Sequence, residues 1–110
     1  MQILVLYDSR SGNTKKLADA IAQGVKEAGE VECIMRSAEE VSKDDFLNSA
    51  GIIAGSPVYF GTMTAALKEI FDKFVGVRKK MEGKIGAAFT TSGDATGGKE
   101  TTIFSIIQAM

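Results

Sequence analysis

Four short apolar runs alternate with amphipathic stretches along this chain, and that order leaves few folds open. Residues 2–7 (QILVLY), 31–35 (VECIM), 50–55 (AGIIAG) and 84–90 (KIGAAFT) read as strands, rich in aliphatic and β-branched side chains. Between the first two, Leu17, Ile21, Val25 and Ala28 recur at helical spacing within 14–28, and Gly29 closes that helix. Residues 37–48 are polar, with Val41, Phe46 and Leu47 as anchors, and predict a short helix among loops. Ser56-Pro57 ends the third strand, and Met63, Leu67, Ile70, Phe71 and Phe74 then form the clearest helical stripe. Residues 76–83 (GVRKKMEG) read as a basic surface turn, and Ile103, Ile106, Ile107 and Met110 mark a last helix. The alternation predicts an α/β fold with a parallel sheet and helices on both faces, and right-handed crossovers restrict its topology. A length of 110 residues predicts one domain over 1–110.

Composition removes several function classes. Lysine and arginine number 13 against 14 acids, a net charge of -1, so no basic footprint for nucleic acid is present. No apolar run approaches the ~20 residues that span a bilayer. Met1 leads straight into the first strand without a signal segment, which predicts a cytoplasmic protein. Cys33 is the only cysteine; it excludes an internal disulfide, suits a reducing compartment and reads as an inert packing residue. The absence of histidine excludes histidine triads, zincin motifs and His/Cys zinc sites. Asp8 stands where a phospho-receiver fold places an acid, but the third strand ends in Ser56-Pro57 with no acceptor aspartate, and that reading fails.

In open α/β sheets ligands bind beyond the carboxyl ends of the strands. Three loops at that edge have unusual compositions. The first, 9–14 (SRSGNT), is small and polar and precedes a helix N-terminus, where free N–H groups and the helix dipole favour an anion. Gly12 lets the backbone approach that anion, and Ser9, Ser11, Asn13 and Thr14 add donors. The Gly-Lys-[Ser/Thr] triplet of a Walker motif is missing, so a phosphate monoester fits better than a polyphosphate with magnesium. An ordinary N-cap with a loop accounts for the same residues. The second loop, 56–62 (SPVYFGT), offers Tyr59 and Phe60 to sandwich a flat ring, at least one of which is expected to fold under as core. The third, 91–98 (TSGDATGG), is rich in glycine and hydroxyls that suit the polar edge of such a ring.

These segments resemble the flavodoxin-like FMN family over essentially the whole chain. YDSRSGNTKKLADAI resembles the family's phosphate-loop signature, with a Ser-x-Ser-Gly-Asn-Thr core. GIIAGSPVYFGTMTAALKEIFDK resembles the segment on one side of the isoalloxazine ring. KIGAAFTTSGDATGGKETTI is similar to the matching loop of flavodoxins and of quinone reductases of the tryptophan-repressor-binding-protein type. The resemblance implies a three-layer fold with sheet order 2-1-3-4 and bound FMN. It implies that Ser9, Arg10, Ser11, Gly12, Asn13 and Thr14 hold the FMN phosphate. Pro57, Val58, Tyr59, Phe60, Gly61, Thr91, Ser92 and Gly93 would flank the ring. It further implies a redox protein or NAD(P)H as partner.

The chain departs from the family in two ways. It reaches Met110 without the usual fifth strand and final helix, and it is nearly neutral where electron-carrier flavodoxins are acidic. The first departure predicts a bare edge on the fourth strand and self-association into a homodimer. Lys84 and the 76–83 turn folding over that edge is the alternative. The function expected is an FMN electron carrier. The alternatives are an NAD(P)H-dependent flavin or quinone reductase, and a non-catalytic assembly or regulatory module.

Overall fold

The computed structural model describes residues 1–92 and 97–110. Strands β1 (Gln2–Tyr7), β2 (Glu32–Ser37), β3 (Gly51–Pro57) and β4 (Ile85–Thr91) form one parallel sheet in the order β2-β1-β3-β4. Helices α1 (Asn13–Glu27), α2 (Lys43–Asn48), α3 (Ala65–Lys73) and α4 (Lys99–Ala109) connect and flank it. The α/β class and the predicted strand order both hold.

The period of two along each strand sorts the core into two layers. Leu4, Leu6, Ile52 and Ala54 face Phe46, Leu67, Ile70, Phe74 and Ile106 of α2, α3, α4 and their flanks. Val5 and Tyr7 face the other way, onto Ala18 and Ala22 of α1, with Phe89 of β4 beside them. Leu4, Val5 and Leu6 are all fully buried, as the central strand of a covered parallel sheet requires. Ser42 caps α2 in a reciprocal capping box with Asp45, and the Thr64 hydroxyl accepts the Leu67 N–H at the start of α3.

Three local expectations need correction. Ser56-Pro57 does not end β3: the strand runs through Pro57, which pairs with Thr91. The register with β1 stops at Tyr7↔Gly55, so Pro57 has a strand neighbour on one side only, where a missing N–H is tolerated. Residues expected as a basic turn form a 3₁₀ helix, Val75–Met81, with Arg78, Lys79 and Lys80 in its last turn. Lys84 does not cover the sheet edge. Its Nζ donates to the carbonyls of Leu47 at 2.8 Å, Phe46 at 3.3 Å and Ser49, closing the end of α2.

Candidate functional site

The first loop leaves β1 at Asp8, whose N–H donates to Gly55 O at 3.1 Å and fixes the loop against β3. Gly12 is the N-cap of α1 in the left-handed region, φ 92°, and a Cβ built there meets nothing within 4 Å. Open space therefore lies in front of the turn, as a seat for a small group requires. Gly12 has no side chain with which to cap α1, and the first turn holds no acid, so no carboxylate within the helix counters its positive end. Ser9 Oγ reaches forward instead, accepting the Gly12 N–H at 3.1 Å and the Lys15 N–H at 3.3 Å. The hydroxyl proton of Ser9 is left to donate outward. Ser11 and Asn13 are exposed beside it.

Arg10 Nε lies 3.4 Å from Asp8 Oδ2. Asp8 is 7% exposed, and its Oδ2 is buried with no hydrogen-bond donor among the described residues. The contact is thus an ion pair without hydrogen-bond geometry.

The second loop is a two-residue hairpin. Tyr59 N–H donates to Thr62 O at 3.0 Å and Thr62 N–H returns to Tyr59 O at 3.1 Å. Phe60 and Gly61 between them both have positive φ, 53° and 77°. Tight hairpins require that pair of conformations, but phenylalanine adopts it only under strain. The hairpin throws its aromatics outward: Tyr59 is 44% exposed and Phe60 105%. Neither folds under as core, contrary to expectation.

Thr91 draws the loops together. Its Oγ1 lies 2.8 Å from Thr14 Oγ1, and its carbonyl accepts the Val58 N–H at 3.1 Å. Thr14 is 2% exposed, so its hydroxyl serves first as the link between the first and third loops. Pro57, Val58 and Ser92 are half-buried alongside. Gly93 lies outside the described residues.

Sequence reasoning missed two supports. A Cβ on Gly98 would stand 3.1 Å from Gly61 Cα, so the start of α4 and the second loop meet through two bare glycine backbones. A Cβ on Gly55 would fall 2.1 Å from the Phe89 ring, so that ring occupies the space which only a glycine there leaves free. The glycine pair 97–98 carried a weak signal for the first; nothing in the sequence pointed to the second.

A parallel sheet in the order 2-1-3-4, with an open glycine turn before the helix that follows β1 and an exposed aromatic hairpin after β3, is the architecture of a mononucleotide-binding α/β protein. Residues 35–107 match the family described as NADPH-dependent FMN reductase. The chain is 36% identical over 107 residues to a flavodoxin of Aquifex aeolicus, covering 96% of this chain and 58% of the relative. It is 35% identical over 127 residues to an NAD(P)H dehydrogenase (quinone) of Rhodopseudomonas palustris, covering 96% and 64%. The solved structure of a flavodoxin from the domain Archaea superposes with TM-score 0.85 at 32% identity, covering 100% of this chain and 73% of that one. The chain belongs to the flavodoxin-like FMN family. It spans 58% of the first curated relative's length and 66% of the second's.

Proposed function

We propose that the chain binds FMN non-covalently across the three loops and carries electrons between redox partners through it. The observation that carries this reading is the first loop, an open, glycine-led turn on a helix N-terminus whose first turn holds no acid. Ser9, Arg10, Ser11, Gly12, Asn13 and Thr14 would hold the phosphate. Pro57, Val58, Tyr59, Phe60, Gly61, Thr91 and Ser92 would flank the ring, with Gly93 proposed from the sequence alone. The flavin, when bound, supplies the electron chemistry. The chain's part is to fix and shield it. The N–H groups at the start of α1 and the Ser9 hydroxyl neutralise the phosphate, and Tyr59 and Phe60 exclude water from the ring. The Phe60-Gly61 peptide, with glycine on one side, can turn its carbonyl at low cost.

A second reading is favoured by the family match and by the quinone dehydrogenase among the relatives: an NAD(P)H-dependent flavin or quinone reductase. Anaerobic addition of NADPH or NADH to the FMN-loaded chain separates the two. A carrier keeps its yellow absorbance until a redox protein or dithionite is added, whereas prompt bleaching by the nicotinamide alone selects the reductase. Failure to retain any flavin would leave the non-catalytic module.

The proposal extends to self-association of this chain through β4, whose outer edge is unpaired among the described strands.

A further inference from the structure

We propose that Asp8 is a positioning residue of the anion seat, keeping the Arg10 guanidinium beside the loop by charge so that it is available to a phosphate monoester. The inference rests on the FMN reading above and goes beyond it by assigning the buried acid a task.

Asp8 is the puzzle in this loop. It is more than nine-tenths buried, its backbone is tied to Gly55 O, and its Oδ2 has no hydrogen-bond donor among the described residues. A carboxylate has the wrong charge to stand beside an anion seat, and burying its Oδ2 without a hydrogen bond is costly. Its one ionic neighbour among the described residues is Arg10 Nε at 3.4 Å, on a side chain 53% exposed. A half-exposed pair of this kind contributes little to stability, so stability does not explain the acid. Positioning does. A free arginine samples many rotamers, whereas one drawn to a buried carboxylate stays beside the loop, where its guanidinium can meet phosphate oxygens two at a time. Lys15, the next cation along the chain, lies in α1 and is turned to Asp19 at 3.7 Å. Arg10 is therefore the cation that the loop holds in place.

The test is equilibrium titration of FMN and of riboflavin into the full chain and three variants. Arg10→Ala should weaken FMN by about tenfold and leave riboflavin unmoved. Asp8→Asn should weaken FMN by about threefold or more, again without moving riboflavin, because Arg10 is no longer kept beside the loop. In the Arg10→Ala background the same Asp8→Asn change should reverse sign and tighten FMN, since the carboxylate then only repels it. A merely structural role for Asp8 would move both ligands together and give no reversal. Asp8→Asn that tightens FMN, or leaves it unchanged, while Arg10 is present overturns the proposal. If Asp8→Asn fails to fold, Arg10→Lys decides: it keeps the charge without the fork and should lose several-fold in FMN affinity, and full retention overturns the proposal. A wild-type chain that binds FMN and riboflavin equally has failed earlier, at the FMN reading itself, and takes this inference with it.

Discussion

Gly12 turns at φ 92° with open space in front of it, and both facts bear on what a substitution there does. A side chain in that region is strained by about 1–2 kcal/mol and would occupy the seat. Gly12→Val should therefore bring FMN affinity down to that of riboflavin while costing only that strain in stability, read by flavin fluorescence and by thermal melting. Thr14→Ala should cost about 1 kcal/mol, because it removes the buried hydroxyl that meets Thr91. Phe60 holds the opposite balance. Replacing it by Asn, which tolerates positive φ, should raise stability without flavin by about 1 kcal/mol, or ~4–8 °C in melting temperature. The same change should weaken FMN by removing the exposed ring. Burial pushes the Cys33 thiol up, against a smaller opposing pull from Lys26. Less thiolate is then present near neutrality, so Cys33 should alkylate more slowly than free cysteine at pH 8 and catch up as pH rises. The open glycine turn before α1 was legible because a crowd of small polar residues between a strand and a helix marks a loop at a helix N-terminus. The Thr14–Thr91 link was not, because it joins residues 77 positions apart and no local pattern encodes that meeting.

At the scale of elements, the strands and helices followed from hydrophobic period, and the misreadings share one cause. Propensity ends a strand at Ser56-Pro57, but pairing with β4 carries it on, and Ser56 Oγ accepts the Thr64 N–H at 2.9 Å to lead into α3. The basic segment 76–83 looked like a turn because its charges are solvated, yet Val77 and Met81 pack against the core from a 3₁₀ helix. Two substitutions test how the elements are joined. Gly55→Ala would drive a methyl into the Phe89 ring and should destabilise by about 1–3 kcal/mol, with FMN affinity falling as the loops above shift. Lys84→Met would leave the carbonyls at the end of α2 without their donor, at a cost of about 2 kcal/mol by denaturant melt. Unchanged stability in the second case would mean that water replaces the ammonium freely.

Across the whole molecule the two faces of the sheet are unequally covered. Among the described helices, α2, α3 and α4 pack on one face and α1 alone on the other. Ile85 remains 75% exposed, beside a cavity of about 460 Å³ lined by Ile3, Val25, Ile53 and Ala87. On the α4 side Ile107 and Met110 are 52% and 43% exposed, although Ile106, expected with them, is fully buried. From Ile85 to Thr91 the edge strand carries no charge, so two copies paired there about a two-fold axis bring no like charges together. This chain should therefore run as a dimer of its 11.7 kDa mass at micromolar concentration and dissociate on dilution. A light-scattering mass of one chain throughout that range would exclude it. The seat itself is tested most directly by comparing FMN with riboflavin, which differ only in the phosphate. If the first loop is an anion seat, FMN binds at least tenfold more tightly and the gap closes in Gly12→Val; equal affinities for the two flavins in the unmodified chain would contradict it.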